Sequence, residues 1–369
     1  MPAMDGLEIA HRRLHNQRLS GPPAADPVAV VRHLGAVQAQ EYAIAKWSVG
    51  QRTTGVHDRD VQAAIDSGAI VRTHALRPTW HFLAAEDVGW IQALTGPRVL
   101  TTVGHYYRQA GLDDPALIAR STKGIVAALR GGNHLTRTEL GAALAAAGVE
   151  ATGMALGFIV SRAELEGLIG NGVMRGKQHT YALLEERIGN PQTYTHEEAL
   201  AELTRRYFTS HGPATIKDFV WWSSLTVAQI RKGLSLVGSG LESETVDGRT
   251  YWFAPSDPPP RDRSPSVHVL QPYDEYGVAY TESRPVLNLA GLDLQLPNNN
   301  TIGYLYTIDS QLAGSWRRVV ERDGITAEIS PVLKLTVAKR KAVEAAFRRY
   351  AEFANVPVRL NWPAATPTG

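Results

Sequence analysis

The segment 195–253 decides the fold: THEEALAELTRRYFTSHGPATIKDFVWWSSLTVAQIRKGLSLVGSGLESETVDGRTYWF. Thr195 and Glu198 make a capping box that predicts a helix to about Ser210. Residues 211–213 (HGP) break the chain, and two further helices are predicted at 214–222 and 227–236. Two β-prone runs at 241–246 and 250–253 then flank an Asp-Gly pair, which favours a hairpin. Helices followed by a hairpin predict a winged helix, a relative of the helix-turn-helix.

The same order of elements is predicted twice more upstream. The second copy has helices at 115–130 and 154–169, a capping box of Thr136 and Glu139, and strands near 173–175 and 180–184. The first copy has helices near 7–18, 27–34, 43–50 and 58–67, and wing strands near 69–74 and 79–83.

A proline-rich stretch at 256–265 then marks a boundary, because its prolines continue neither a helix nor a central strand. Beyond it, strands are predicted at 267–270, 286–289, 301–308 and 313–319, another β-prone run lies at 325–337, and a closing helix is predicted at 339–353. The fold class is therefore α+β, mainly α with β wings. The predicted division is three tandem winged-helix units, at 1–110, 111–190 and 191–256, and a C-terminal β-rich domain at 266–369.

Composition excludes several classes of protein. The 369 residues are 44% hydrophobic and 20% charged, as in ordinary globular proteins. Cysteine is absent, which excludes disulfides and thiolate nucleophiles. No run approaches the roughly 20 apolar residues of a membrane span, and the N-terminus lacks a signal pattern, so we expect a cytoplasmic protein.

The net charge of +2 gives no global indication of nucleic-acid binding. Most of the basic residues are arginine, whose planar guanidinium suits phosphates and base edges. A GC-rich genome would produce the same enrichment.

The familiar catalytic signatures are missing. The sequence has no HExxH, GxSxG or P-loop, and GxGxxG is not found in its proper context. His74 and His81, which flank the first wing turn, are the nearest approach to a histidine pair, and we expect neither a metal nor another cofactor. Adjacent carboxylates such as Asp274 and Glu275 are expected to point apart, because neighbouring side chains usually diverge.

The remaining candidate is Gln38–Ala39–Gln40. It lies between Gly35, which is predicted to end one helix, and Ala43, where another is predicted to begin. Side chains at i and i+2 converge where the chain is extended. Two glutamines in a turn are also compatible with a solvated or capping role.

Several segments in the right order resemble a bacterial winged-helix family of DNA glycosylases, the AlkZ and YcaQ type. Gln38–Ala39–Gln40 resembles its QxQ motif, and a sister branch carries QxD, so Gln40 favours the AlkZ branch. The other matching segments are 72–81 (RTHALRPTWH), 161–168 (SRAELEGL) with 181–184, 207–222, 270–276 (LQPYDEY) and 314–318 (GSWRR). The resemblance implies a DNA repair enzyme with Gln38 and Gln40 as catalytic residues. The AlkZ branch unhooks interstrand crosslinks and includes a self-resistance enzyme of an azinomycin producer.

Glutamine accepts no proton, so it would serve an unmodified base poorly. An N7-alkylated purine is already cationic and leaves as a neutral base. The enzyme then needs mainly to position water and stabilise the sugar cation by dipoles, which two amide oxygens can do. We therefore expect a monofunctional glycosylase that cleaves cationic adducts, leaves abasic sites and ignores uracil.

Candidate DNA contacts follow from position. Thr73, His74, Arg77 and His81 lie on a loop expected beside the glutamines, where they would line the pocket or hold phosphates. Asn298, Asn299 and Asn300 lie in a polar turn that would probe the minor groove, or that is a plain hairpin loop. Trp221 and Trp222 are expected in the core of the third unit rather than as a stacking platform.

The expected partner is double-stranded DNA with alkylated or crosslinked purines, bound by a monomer. The main alternative is a winged-helix transcriptional regulator without catalysis. Against it, the sequence shows no ligand-binding domain and no heptad-repeat helix, and the predicted helix 227–236 carries only Arg231 and Lys232 as basic residues. A non-enzymatic DNA scaffold is the third hypothesis.

Overall fold

The computed structural model describes residues 4–189, 191–257, 259–260, 264–294 and 303–363. Within these ranges, no helix has the length and apolar character needed to cross a bilayer. Asn298, Asn299 and Asn300 fall outside the described residues, so their predicted role stays a prediction.

The amino-terminal elements end in a small antiparallel sheet with the order β1–β3–β2. They are α1 (Gly6–Asn16), α2 (Pro27–Leu34), β1 (Val37–Gln38), α3 (Tyr42–Gly50), α4 (Asp58–Asp66), β2 (Ile70–Ala75) and β3 (Arg77–Ala84). Asp26 caps α2 by accepting a hydrogen bond from the Ala29 amide at 2.8 Å, and Pro27 occupies the first turn. Gly35 ends α2 with a φ of 77°, a conformation that costs glycine little, and turns the chain into β1.

The long helix α5 (Val88–Gln109) was not predicted from the sequence. Gly96 and Pro97 interrupt its pattern, but both have a place in the structure. A Cβ at Gly96 would lie 2.4 Å from the Leu165 carbonyl oxygen, so this glycine lets α5 pack directly against the end of a helix in the next part of the chain.

The second and third sets of elements follow. The second comprises α6 (Pro115–Leu129), β4 (Leu135–Thr136), α7 (Arg137–Ala146), α8 (Gly153–Leu165), β5 (Ile169–Asn171), β6 (Thr180–Leu183) and the short α9 (Leu184–Arg187). The third comprises α10 (His196–Ser210), α11 (Ile216–Ser223), α12 (Val227–Val237), β7 (Glu242–Val246) and β8 (Arg249–Phe253). The predicted capping boxes at Thr136 and Thr195 are confirmed.

One arrangement recurs in all three sets: helix, short strand, two helices and a hairpin whose second strand pairs with the short strand. The sheet orders are β1–β3–β2 and β4–β6–β5, and in the third set a bridge from Ala214 to Trp252 takes the place of the short strand. This arrangement agrees with winged-helix units. The exact division of the chain at the bounds given above stays a prediction.

The C-terminal part is a five-stranded sheet in the order β13–β12–β11–β10–β9, with a helix packed on it. Its elements are β9 (Val267–Leu270), α13 (Glu275–Val278), β10 (Leu305–Ile308), β11 (Gln311–Glu321), β12 (Gly324–Pro331), α14 (Val337–Ala354) and β13 (Val358–Asn361). The predicted strand 286–289 is wrong, because Arg284–Leu287 forms a 3-10 helix. The predicted helix 154–169 is too long, since it stops at Leu165 and Ile169 begins a strand paired with β6.

The C-terminal part packs tightly on the first set of elements. The Trp47 ring of α3 lies 5.3 Å from Tyr350 and 5.2 Å from Phe353 of α14. Next to it, Arg52 and Asp274 form an ion pair at 2.8 Å with both side chains almost fully buried. Burial alone would raise the pKa of Asp274, but the charge and hydrogen bonds of Arg52 outweigh it and hold that pKa below 3.8.

Asp274→Asn should lower the free energy of unfolding by about 3–5 kcal/mol, because it leaves Arg52 buried without its counter-ion. Since the folded pKa of Asp274 is lowered, the wild-type pair stabilises the fold above the ordinary carboxyl pKa and loses that effect as the pH falls through the lowered value. The stability of the variant should therefore depend less on acid pH than that of the wild type.

Urea unfolding between neutral and acid pH measures the free energy of unfolding and its dependence on pH. The control is Asp323→Asn, at an exposed partner of Arg359, which is expected to change little. Equal free energies of unfolding for wild type and Asp274→Asn would show that the Arg52–Asp274 ion pair does not stabilise the fold.

Candidate active site

The QAQ motif is held as a strand edge beside the first wing. Val37 pairs with Phe82 and Gln38 with His81 across the β1–β3 ladder. The Ala39 amide donates to the Trp80 carbonyl at 2.7 Å, and the Arg72 guanidinium donates to the Ala39 carbonyl at 3.0 Å. The backbone of the motif is therefore fixed on both sides before α3 begins.

Gln38 is held by one acidic and one basic side chain. Its amide N–H donates to Glu275 Oε1 at 2.9 Å, and its side-chain Oε1 accepts from Arg77 Nη2 at 2.7 Å. A guanidinium only donates, so the amide oxygen faces Arg77 and the NH2 group points away from it. That NH2 group has no hydrogen-bond partner among the described residues, and Gln38 is 4% exposed.

Arg77 is itself buried beneath the motif. Burial lowers its pKa, and the negative charge of Glu275 acts in the opposite direction. Its Nη2 also lies 3.3 Å from His81 Nε2, while its Nη1 has no partner within the described part of the chain. Nη2 therefore fixes Gln38, whereas Nη1 is buried beside it.

His81 is neutral in this environment. Burial and the charge of Arg77 lower its pKa well below 6.5. Since Arg77 donates to Nε2, the ring proton is on Nδ1, which donates to the Thr79 carbonyl at 3.0 Å. His81 therefore supports Arg77 as a hydrogen-bond acceptor.

Glu275 is fully buried behind the motif. Its Oε2 accepts from Trp222 Nε1 at 2.8 Å, and His211 Nε2 lies 3.4 Å away. Asp274 takes a different set of partners around Arg52, so the expectation that these neighbouring carboxylates diverge is confirmed. In the segment 270–276, Asp274 thus forms an ion pair with Arg52, and Glu275 holds the QAQ motif.

The two glutamines differ in exposure. Gln40 is exposed to solvent, whereas Gln38 is buried except for a small part of its surface. Arg77 also donates to the Gln38 oxygen, so the two amides lie in different surroundings, and their catalytic role stays a prediction.

The other predicted site residues that the structure describes lie in different surroundings. Thr73 and His81 have no exposed surface, so in this conformation neither presents a side chain to a phosphate. Thr73 Oγ1 accepts from Gln92 at 3.0 Å, and His74 Nδ1 lies 2.6 Å from Glu164 Oε2. Among the predicted site residues that the structure describes, only Arg77 and His81 contact each other and Gln38. A DNA-lining role for Thr73, His74, Arg77 and His81 stays a prediction.

Trp221 and Trp222 do not share one environment. Trp222 is fully buried, as predicted, but Trp221 is 41% exposed, so the expectation that it lies in the core is wrong. Successive residues of a helix point about 100° apart, so two adjacent tryptophans rarely both face one core. This periodicity is the sequence signal that predicts different surroundings for Trp221 and Trp222. The Trp221 ring centroid lies 5.8 Å from Arg77 Cζ, which places an exposed indole next to the support of Gln38.

Comparison with known proteins identifies the family of this chain. Residues 31–353 match the family model of AlkZ-like DNA glycosylases. The chain belongs to the AlkZ-like DNA glycosylase family. The family assignment suggested by the sequence is thereby confirmed.

A curated relative and a solved structure both come from Streptomyces sahachiroi. The relative, described as an interstrand DNA cross-link repair glycosylase, is 27% identical over 238 residues, a stretch covering 62% of this chain and 63% of that protein. The chain thus matches a little under two thirds of that relative's length. The solved structure of the DNA glycosylase AlkZ aligns with a TM-score of 0.78 at 21% identity, over 97% of this chain and 100% of the other, which shows a shared fold.

Glu275→Gln should disturb the QAQ motif. The neutral amide offers one acceptor oxygen where two N–H groups now donate, so the Gln38 amide or the Trp222 indole loses its partner at a cost of about 1–3 kcal/mol. Hydrogen exchange should show faster exchange of the Gln38 amide, and urea unfolding should show the lost stability. Glu282→Gln, at an ion pair with the exposed Lys217, is the control; unchanged protection of Gln38 in Glu275→Gln would refute the role of Glu275.

Proposed function

We propose that this chain is a monofunctional DNA glycosylase of double-stranded DNA. Its proposed substrates are cationic N7-alkylated purines, including those joined in interstrand crosslinks, and its product is an abasic site. It acts as a monomer and without a cofactor. The observation that supports this most is the QAQ motif, with an exposed Gln40 next to a Gln38 whose amide orientation is fixed.

The chemistry suits amides rather than carboxylates. An N7-alkylated purine carries its positive charge before the reaction, so its departure as a neutral base needs no protonation. The remaining requirement is to orient a water against the sugar as the C–N bond breaks, and a fixed dipole does this with little reorganisation.

The two glutamines take complementary roles in this proposal. Arg77 holds the Gln38 oxygen, so Gln38 offers its NH2 group as a donor to the water oxygen. Gln40 offers its carbonyl oxygen as an acceptor for a water proton. A donor and an acceptor orient one water more definitely than two acceptors would.

The surroundings fit a cationic transition state. Arg77 would oppose positive charge on the sugar, but the buried Glu275 balances it behind the motif. The exposed Trp221 beside Arg77 supplies a flat surface on which a base or an aromatic lesion stacks. The family match favours this enzymatic function over the regulator, and the name of the S. sahachiroi relative supports crosslinks as substrates.

Gln40→Ala and Gln38→Ala should each reduce excision by about 100-fold or more, because either change removes one of the two groups that hold the water. The assay incubates the protein with a duplex containing 7-methylguanine and counts strand breaks after hot alkali. Binding of the same duplex should persist, since neither side chain carries charge. Gln109→Ala, an exposed glutamine at the end of α5, is the matched control. If both motif variants excise at the wild-type rate, the active site lies elsewhere.

The enzyme should discriminate by the charge of the damaged base. Duplexes that contain uracil or oxidised guanine should be cleaved at least about 100-fold more slowly than 7-methylguanine, since neither glutamine protonates a neutral leaving base. Single-turnover rates on matched duplexes measure this ratio. Comparable rates on uracil would show that the site holds a true proton donor.

A further inference from the structure

A cavity of about 300 Å³ lies on the opposite side of β3 from Gln38, between this strand and the helices α5 and α8. Four aromatic side chains form much of its wall: Trp80, Tyr107, Phe158 and Tyr181. Its size is at the lower end of small-molecule sites, and its lining is mostly apolar. Such a cavity suits one flat ring system.

One carboxylate lies at the base of this aromatic cavity. Glu164 is 1% exposed, its Oε2 lies 2.6 Å from His74 Nδ1, and its Oε1 accepts from Trp80 Nε1 at 3.3 Å. A carboxylate has about four acceptor positions, so each oxygen retains capacity for a further donor. The base of the cavity thus presents two adjacent acceptors to whatever enters.

The cavity shares its wall with the QAQ motif. Trp80, which lines the cavity, accepts the Ala39 N–H through its carbonyl at 2.7 Å. Its indole is held by the Arg72 guanidinium, 4.4 Å from the ring centroid, and Arg72 also donates to the Ala39 carbonyl. The Trp80 and Gln38 side chains lie on opposite faces of this sheet. A nucleotide in the cavity therefore approaches the motif around the edge strand β1, where Gln40 follows Ala39.

The mouth of the cavity carries a cation. Arg137 is exposed there, with Met154, which is 78% exposed. Arg137 donates to the Gly153 carbonyl and keeps other N–H groups for a phosphate. An apolar interior with a carboxylate at its base and an arginine at its mouth matches the order of groups in a nucleotide: base inside, phosphate outside.

We propose that this cavity receives the everted base of an N7-alkylguanine monoadduct. This inference rests on the proposed glycosylase function and describes how the enzyme recognises the damaged base of one class of substrate. The guanine ring stacks against Trp80 and its aromatic neighbours, and its N1–H and N2–H groups donate to the two Glu164 oxygens. A base tethered to the opposite strand by a crosslink cannot swing fully out, so crosslink unhooking proceeds without the cavity.

Gly157→Leu tests the cavity by filling it. Gly157 lines the cavity on α8, and the nearest atom to a Cβ there is the flexible end of Arg137, at 2.8 Å, so the helix accepts the substitution. We expect the ratio of 7-methylguanine excision to crosslink unhooking to fall by about tenfold or more. Gly89→Leu, on an exposed position of α5 with open space around its Cβ, is the control expected to keep the wild-type ratio.

A second measurement tests Glu164 through the base itself. Wild type should excise 7-methylguanine faster than 7-methylhypoxanthine, which lacks the N2 amino group. In Glu164→Gln the preference should shrink toward one, because the amide offers one acceptor in place of two. A change in the ratio between two bases reports recognition rather than a general loss of stability.

The outcomes separate this proposal from the proposed function. If wild type excises 7-methylguanine but Gly157→Leu keeps the wild-type ratio, or Glu164→Gln keeps the wild-type preference, the cavity is not the base site. If Gly157→Leu slows monoadduct excision and crosslink unhooking equally, the cavity proposal also fails. If wild type acts on neither substrate, the proposed function itself is wrong, and this inference falls with it.

Discussion

The candidate site depends on the way Gln38 is held between Arg77 and Glu275. A carboxylate accepts the main-chain N–H and a guanidinium donates to the side-chain oxygen, so both the position and the rotation of the amide are determined. Both charged groups are buried, and each needs the other nearby to offset the cost of leaving water. The arrangement therefore fixes one glutamine at the expense of burying two charges, an expense expected where geometry matters more than stability.

This constraint explains why separate parts of the chain must come together. Gln38 belongs to β1, Arg77 to the wing hairpin, and Glu275 to the start of α13, more than 230 residues away. The neighbouring Asp274 ties the same segment to Arg52 near the end of α3. Two adjacent carboxylates thus attach the C-terminal part of the chain to the first set of elements at the point where the motif lies.

The first wing has a different chemistry on each of its two faces. Because side chains alternate along a strand, His81 faces Gln38 and Arg77, whereas Trp80 faces Arg72, His74 and Glu164. One face supports the motif and the other lines the aromatic cavity. A single hairpin therefore supports Gln38 on one side of its backbone and lines the proposed base site on the other.

The sequence determined the local structure well, because local structure depends on neighbouring residues. The capping boxes at Thr136 and Thr195 and the Asp-Gly turn at 247–248 are short-range signals, and each appears where it was expected. The QAQ motif and the family resemblance were also visible in the chain itself. By contrast, α5 was not predicted, because the role of Gly96 is clear only from its contact with the Leu165 carbonyl. The predicted strand at 286–289 overlaps a 3-10 helix instead. Only the tertiary structure decided that Gln38 is buried and Gln40 exposed, that Trp221 faces solvent, and that Glu275 lies behind the motif. Burial and pairing between residues hundreds of positions apart depend on how the elements pack, and no window of sequence contains that information.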